Sequence, residues 1–380
     1  MSGLVVDGAT VVAVTASRPG ARELTVRVDG AEADEAAIAY DQLTGALAPG
    51  DRVAVNTTAV RLGLGTGGLH VVMARLGGRA DADGLTGPGH IVKARYTPSQ
   101  VAVLAVEEEA SPHRGAVAAV DDLGGLPVVA AELHSMVPVI AAAARAVDPG
   151  LLVAYVMSDG AALPLGLSRL AAAMRSAGLL AGTVTAGQAF GGDLEAITVH
   201  SGMVAARAVL GADVVIVAQG PGGAGSGTRF GFSGVQLAEA VNAAGALGAR
   251  PVACLRLSGA DARERHRGVS HHTLTALGRL ALARATVAVP DLADDGLAGL
   301  VAGQLRDAGI GLRHHLVQVR ARPAAELLAP WGLEVASMGR GPAADPAFFA
   351  AAAAAGTLAA RMALEPVEPV EPVGPAGAPA

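Results

Sequence analysis

A glycine-rich segment, residues 220–234, is the strongest local candidate for a ligand-binding site. Its sequence, GPGGAGSGTRFGFSG, follows the apolar run 213–219 and precedes a helical run that starts near Val235. A strand, a glycine-rich loop and a helix in this order direct backbone N–H groups and the helix dipole at an anion. The segment matches neither a P-loop nor the standard dinucleotide-binding fingerprint.

We expect this segment to hold an anionic or phosphate-bearing small molecule at the carboxyl edge of a sheet. The predicted ligand contacts are Gly222, Gly223, Gly225, Gly227, Thr228 and Arg229. The alternative is a long flexible surface loop that binds nothing.

An arginine- and histidine-rich segment, residues 263–273, comes shortly after the next apolar run along the chain. It reads RERHRGVSHHT, and positions 256 to 284 hold six arginines against Asp261 and Glu264, although the net charge of the chain is −6. We predict Arg265 and Arg267 as anion contacts, and His266 and His271 as candidate catalytic residues for proton transfer. The alternative is a solvated basic loop whose Ser270 caps the following helix.

The sequence identifies no metal ligand set in this segment and leaves any cofactor unknown, with hydrolysis at a metal site as a third possible function. Because adjacent residues of a helix point apart, we do not expect His271 and His272 to bind one ion together. A metal site would need further ligands from residues near other predicted loop ends. The available candidates are Glu132, His134, Asp159, Asp193, Glu195 and His200.

A third cluster lies nearer the N-terminus, in residues 56–70 and 87–98. The second of these stretches contains Lys93, which is the single lysine of the chain. In a strand, Lys93 and Arg95 would share one face, while His90 and Tyr96 would share the other. The paired charges would suit a phosphate or an acidic partner, and an ordinary barrel strand with one solvated side is the alternative.

Several catalytic signatures are missing from the sequence. It has no nucleophile elbow, no zincin helix and no EF-hand loop, and its catalytic-type residues do not follow a Ser-His-Asp order. Cys254 is the single cysteine and sits in an apolar run, so a buried structural thiol is expected there and an internal disulfide is excluded.

The elements that would position these residues fall into two parts. Residues 1–110 read as short strands and turns, including Asp29-Gly30, at the spacing of a small barrel-like module. The barrel-like pattern extends through residues 90–96 and 101–106. We predict a linker over 111–125, an α/β domain over 126–362 and a disordered proline-rich tail over 363–380.

The larger part alternates apolar runs with helical runs, which predicts a mainly parallel, doubly wound sheet. The predicted strands are 127–131, 151–157, 182–186, 213–219, 251–257, 285–289 and 316–319. The predicted helices include 163–177, 235–247, 273–283, 297–308 and 346–362.

The composition restricts the location and the partners of the protein. Hydrophobic residues make up 52% of the chain, yet the longest apolar stretches are too short or too polar to span a membrane, and no signal peptide is recognised. The negative net charge disfavours general nucleic-acid binding. We therefore expect a cytoplasmic protein with no membrane contact, while the oligomeric state does not follow from the sequence.

Five strings together resemble a bacterial family that is known only as a domain of unknown function. They are residues 56–70, 87–98, 220–234 and 265–273, and the pair formed by MGRG at 338–341 and DPAFF at 345–349. The resemblance spans roughly residues 5–362 and implies a distribution in high-GC Gram-positive bacteria and Firmicutes. It implies no activity and no site residues.

The leading hypothesis is therefore an enzyme or binding protein that holds an anionic or phosphate-bearing small molecule at the α/β loop ends. The rival hypothesis is a non-catalytic regulatory or assembly module that binds protein or RNA through Lys93, Arg95 and Tyr96. Nucleic acid remains possible but is not favoured.

Overall fold

The computed structural model describes residues 4–63, 67–77 and 88–365. Within them, a closed five-stranded barrel precedes an eight-stranded sheet that is covered by helices. The predicted fold class, an α/β protein with a small N-terminal barrel, is confirmed. The predicted tail falls almost wholly on residues 366–380, which lie outside the described residues.

The barrel forms because short β-branched runs alternate between a buried face and a more exposed one. Val53 and Val55, for example, are fully buried, while Arg52 between the turn and Val53 is exposed. The barrel strands are β1 (Val6–Arg18), β2 (Ala21–Val28), β3 (Glu35–Ala39), β4 (Arg52–Asn56) and β5 (His70–Leu76). They close in the order β1-β2-β3-β5-β4, with two four-residue helices, α1 (Asp41–Thr44) and α2 (Thr58–Arg61), between strands. The predicted Asp29-Gly30 turn is present, with a φ of 81° at Gly30.

The barrel ends earlier in the chain than the sequence pattern predicts. Strand β4 pairs with both β1 and β5, so the barrel has closed before residue 90 and has no free edge for another strand. The next two strands, β6 (Ile91–Lys93) and β7 (Val101–Val103), form a separate antiparallel hairpin. This hairpin contacts the α/β domain, where Ala105 makes a parallel bridge with Glu195.

All seven strands predicted in the larger part belong to one sheet, with small differences at their ends. Its strands are β8 (Pro127–Ala131), β9 (Val153–Ser158), β10 (Gly182–Thr185), β11 (Leu194–Glu195), β12 (Val214–Gln219), β13 (Arg250–Cys254), β16 (Thr286–Pro290) and β17 (His315–Val319). The order is β11-β10-β9-β12-β8-β13-β16-β17, and every pairing is parallel. Two further strands, β14 (Leu257–Ser258) and β15 (Gly268–Val269), pair only with each other.

Helices cover both faces of the sheet, which explains why β8, β9 and β12 are buried along their whole length. The helices are α3 (Arg114–Ala118), α4 (Val137–Val147), α5 (Arg169–Ser176), α6 (Val199–Ala208), α7 (Gln236–Ala246), α8 (His271–Thr275), α9 (Asp295–Asp307), α10 (Ile310–Arg313), α11 (Ala324–Leu328) and α12 (Pro346–Leu364). One core contains residues of α4, α11 and α12, and the other contains residues of α6, α7 and α9.

Helix α12 is the one described helix whose length and composition would allow a membrane span, but 78% of that window is buried inside the fold. It packs closely against α4, and Gly356 lies at a point of close approach. A Cβ added there would lie 2.8 Å from the carbonyl carbon of Ile140 and closer still to its oxygen. Small residues on α12 therefore let two apolar helices approach backbone to backbone.

Replacing Gly356 by alanine should lower the free energy of unfolding by about 1–3 kcal/mol, because the new methyl group overlaps a backbone atom that has little room to move. Gly299 is the matched control, since it is also inside a helix but has no atom within 4 Å of an added Cβ. Gly299→Ala should be neutral or stabilise the protein by about 0.4–1 kcal/mol. Urea denaturation of both variants measures the difference, and equal stabilities would contradict the close packing.

Candidate functional site

Three neighbouring strands bring the predicted site segments together. Strands β12, β8 and β13 are adjacent in the sheet and run parallel, so their carboxyl ends lie at one edge. Glu132 follows β8, the glycine-rich segment follows β12, and Arg256 follows β13 by two residues. Ligands of open α/β sheets bind at such an edge, where the loops diverge.

A buried carboxylate forms the base of this site. Glu132 is 2% exposed, and its Oε1 atom lies 2.7 Å from the Arg256 guanidinium and 2.6 Å from Nδ1 of His272. Burial would raise the pKa of the Glu132 carboxyl, but the His272 hydrogen bond and the Arg256 charge outweigh it and hold that pKa below its usual value. Glu132 is therefore an anion at neutral pH, and it fixes the orientation of both partners.

Three histidines gather above the carboxylate. Ser270 caps helix α8 by accepting a hydrogen bond from the backbone N–H of His272, and its Oγ also lies 2.8 Å from Nδ1 of His266. The ring centroids of His271 and His272 are 4.3 Å apart, and those of His266 and His272 are 5.0 Å apart. Burial lowers the pKa of His266 to about 3 and also lowers the pKa of His271, so both imidazoles are neutral at pH 7.

The expectation that His271 and His272 point apart was wrong. Adjacent positions of a helix are separated by about 100°, but both rings turn towards one aromatic side chain of the glycine-rich segment. Phe232 stacks on His272 with 3.9 Å between centroids, and its ring lies 6.0 Å from His271. This contact forms across the loop, so the helical spacing alone could not predict it.

The glycine-rich segment is folded back on itself and is not an irregular loop. Gly225 and Phe232 make an antiparallel bridge, and the backbone N–H of Ser226 donates a hydrogen bond to the carbonyl oxygen of Gly231. The hydroxyls of Ser226 and Thr228 lie 2.9 Å apart at the turn. In the hydrogen-bond network of the described chain, the amides of Gly223, Gly225 and Gly227 have no acceptor.

A cavity of ≈ 170 Å³ lies between the glycine-rich segment and the histidine segment. Its lining includes Gly223, Gly225 and Gly227 from the first segment and Arg263, Arg265, His266 and His272 from the second. Arg256, which precedes the second segment, also lines it. The two segments predicted to bind an anion therefore share one cavity. The lining contains no barrel residue among the described parts of the chain, and positions 64–66 of the N-terminal glycine cluster lie outside them.

The other residues predicted to contact a ligand in this region either line a second cavity or lie outside the lining of the first one. Arg229 and His271 line a second cavity of ≈ 630 Å³, together with Arg279 and Arg313. Arg267 is exposed and is absent from the lining of the first cavity, as are Gly222 and Thr228. Direct contact with a ligand stays a prediction for all of these residues.

Lys93 and Arg95 do not form the shared positive face that the strand pattern predicts. Lys93 is fully buried, and its ammonium donates to the carbonyl oxygens of Ala196 at 2.8 Å and Ala189 at 3.0 Å. Burial lowers its pKa, and the carboxylate of Glu195, 3.6 Å away, acts in the opposite direction. Strand β6 ends at Lys93, so the exposed Arg95 lies beyond the regular alternation. Lys93 holds the hairpin on the α/β domain.

Sequence reasoning assigned Arg256 and Phe232 no role in the site, and considered Glu132 only as a metal ligand. A signal did exist for the pair of charges, because Glu132 and Arg256 each follow, directly or after one residue, a strand that ends in at least four apolar residues. Of the six acidic and histidine residues considered as further metal ligands, Glu132 alone hydrogen-bonds to a histidine of the cluster within the residues described. Asp193, for instance, pairs with Arg175, and Glu195 with Lys93.

The comparisons with known proteins bear on the family alone. Residues 36–356 match a family model described as a protein of unknown function (DUF3866), which confirms the resemblance found in the sequence. Searches of curated proteins and of solved structures found no match.

His134, just beyond Glu132, gives a pH-dependent prediction. Its ring nitrogens lie 3.0 Å from the Tyr155 hydroxyl and 2.6 Å from the Ser168 hydroxyl, and burial lowers its pKa to about 4 from 6.5. The unfolded chain therefore binds this proton more tightly, so the stability contributed by the neutral ring is complete above pH 6.5 and is lost as the pH falls towards 4.

Between pH 7 and pH 5, wild type should lose about 2 kcal/mol more of its free energy of unfolding than His134→Gln does. Urea denaturation at both pH values measures this, with His200→Gln, an exposed histidine on α6, as the control. If the two variants show the same pH dependence, the ring of His134 is not the group that titrates.

Proposed function

We propose that this chain, which belongs to the DUF3866 family of proteins of unknown function, binds an anionic small molecule through a phosphate group at the carboxyl edge of its parallel sheet. The observation that carries the proposal is Arg265. Its side chain is exposed, lines the cavity, and makes no hydrogen bond or ion pair with the described residues.

Charge pairing distinguishes Arg265 from the two other arginines of the cavity. Arg256 is neutralised by Glu132, and Arg263 is neutralised by Asp261 at 2.8 Å. Arg265 has no such partner among the described residues, which give the cavity one uncompensated positive charge. The planar guanidinium presents paired donors that match the oxygen atoms of a phosphate.

The glycine-rich segment supports the same ligand chemistry. The free amides of Gly223, Gly225 and Gly227 are donors that a bound anion would satisfy, and the guanidinium carbon of Arg265 lies 3.8 Å from the position that a Cβ of Gly227 would take. These donors stand at every second position of the segment, and backbone N–H groups beside an arginine can together bind an anion. A cavity of ≈ 170 Å³ is smaller than a typical ligand pocket, so it would hold the charged group while the rest of the molecule extends outwards.

An enzymatic role would use His266, which lies in the same cavity lining, is 3% exposed and is held through Nδ1 by Ser270. A neutral imidazole in that position could accept a proton from a bound substrate. The catalytic roles of His266 and His271 stay predictions, and the ligand-binding proposal does not depend on them.

The rival function, docking of protein or RNA through the N-terminal part, has less support. Tyr96 is 93% exposed and Arg95 is exposed as well, so both could meet a partner. Lys93, the third residue of that hypothesis, is buried and is bound to backbone carbonyls. Because Lys93 is buried, Arg95 is the one positive charge left on the proposed docking face. RNA binding usually requires the electrostatic attraction of several positive charges.

The test compares two arginines of the same loop. Arg265→Ala removes the unpaired charge from the cavity, and Arg267→Ala removes an exposed charge outside it, and neither side chain makes a hydrogen bond within the described structure. Thermal shift and calorimetry are run with inorganic phosphate, pyrophosphate, nucleotides, sugar phosphates and, as phosphate-free anions, dicarboxylates, all in the presence of EDTA.

At a hundred times its dissociation constant, a phosphate-bearing ligand should stabilise the parent protein by about 2.7 kcal/mol. Arg265→Ala should bind it at least about tenfold more weakly, because a hydrogen bond to a charged group contributes about 1.5–3 kcal/mol, while Arg267→Ala should bind it normally. The proposal fails if no phosphate-bearing compound stabilises the parent, or if the two variants bind equally well.

A further inference from the structure

We infer that His266, His271 and His272 form a binding site for a divalent transition-metal ion of the Zn²⁺ type. One ring nitrogen of each histidine lies within 4.8 Å of the others. The inference goes beyond anion binding and does not rest on it, since the three nitrogens make up a ligand set whether or not a phosphate is bound.

The outer nitrogens of two rings are already held as they are in metal sites. Nδ1 of His272 lies 2.6 Å from the Glu132 carboxylate, and Nδ1 of His266 lies 2.8 Å from the Ser270 hydroxyl. Ligating histidines almost always donate the second ring N–H to a carboxylate or another acceptor, which fixes the tautomer and leaves Nε2 for the metal. A simple surface cluster of histidines would not need either partner.

The third ring carries an independent signal. Nε2 of His271 is buried and has no hydrogen-bond partner among the described residues. A buried ring nitrogen without a partner has a free-energy cost of about 1–3 kcal/mol, and a metal bond would remove that cost. His271 makes no side-chain hydrogen bond in the described network, so it can rotate towards the two fixed rings.

The present spacing of the three nitrogens, at most 4.8 Å, is close to what one shared ion requires, and small shifts of the rings would complete the approach. In a tetrahedral zinc site with Zn–N bonds of about 2.0–2.1 Å, neighbouring nitrogens are about 3.4 Å apart. The loop leaves room on the side of His272 that would face the ion, because the residue beside its Nε2 is Gly225, where an added Cβ would lie 3.5 Å from that nitrogen. A larger side chain there would cover the nitrogen.

The donor set selects the class of ion. Three imidazole nitrogens suit Zn²⁺, Co²⁺, Ni²⁺ or Cu²⁺, whereas Mg²⁺ and Ca²⁺ prefer oxygen ligands. The nearby Arg256 would repel a cation, but its charge is neutralised by Glu132 at 2.7 Å. Three protein ligands with an open fourth position are the arrangement of catalytic zinc sites, in which water or an anion completes the coordination.

The experiment uses the full chain without an affinity tag, freed of metal by EDTA dialysis and placed in phosphate-free buffer. Zn²⁺ and Co²⁺ are titrated by calorimetry, and the visible spectrum of the Co²⁺ form reports tetrahedral coordination. The first variant is His271→Ala, which removes the one proposed ligand whose side chain makes no hydrogen bond to another described residue. The control is His200→Ala, which removes an exposed histidine on α6, outside the cluster.

Wild type and His200→Ala should bind one ion per chain with the cobalt bands of a tetrahedral site, and Mg²⁺ should produce no heat. His271→Ala should bind at least about a hundredfold more weakly, more than the loss of an outer partner usually costs, while its melting temperature without metal stays near that of wild type. Absence of Zn²⁺ binding to wild type, or equal binding by the two variants, would overturn the inference. Phosphate binding is measured in the presence of EDTA, and metal binding is measured in the absence of phosphate. The experiments can therefore refute the phosphate proposal and the metal proposal independently of each other.

Discussion

The arrangement of the whole site depends on one buried charge, the carboxylate of Glu132. A carboxylate that is 2% exposed loses its hydration, and the effective penalty is several kcal/mol unless charged and hydrogen-bonded partners replace the water. Arg256 supplies the charge and His272 the second hydrogen bond, and each comes from a different part of the chain. Removing Arg256 would leave the carboxylate without a countercharge, and removing His272 would take away a hydrogen bond, so the loop after β13 and the start of α8 are held where they are.

The neighbouring glycine-rich segment packs directly against the Glu132 side chain. A Cβ at Gly234 would lie 2.8 Å from the carboxyl carbon of Glu132, so this position has room for no side chain. Phe232 then stacks on the ring that Glu132 orients. Glu132 therefore helps to position two loops. It hydrogen-bonds to residues after β13, and it leaves no room for a side chain at Gly234 of the glycine-rich segment. The cavity lies between these two loops.

The sequence predicted the elements better than the contacts among them. Continuous apolar runs identified the seven main strands and the helices between them because a doubly covered parallel sheet buries every residue of its strands. The two-residue β11 has too little sequence to produce such a signal. The two anion-type segments were predicted from glycine and arginine content, but the pairing of Glu132 with Arg256 required the strand order, which no local pattern contains. The burial of Lys93 required a tertiary contact as well, since a lysine in a short strand is normally solvated.

A cation and an anion bound in this site would each strengthen the binding of the other. Without a metal, the charge of Arg265 and the glycine amides would attract an anion, and the neutral rings of His266 and His271 would add no charge to that attraction. With a metal on the rings, the local charge rises by two and the open coordination position becomes a further contact for a phosphate oxygen. Glu132 makes this possible, because it offsets Arg256 and directs the His272 ring at once. The same carboxylate that organises the fold of the two loops would then also set the metal affinity, and through it the strength with which the cavity holds an anion.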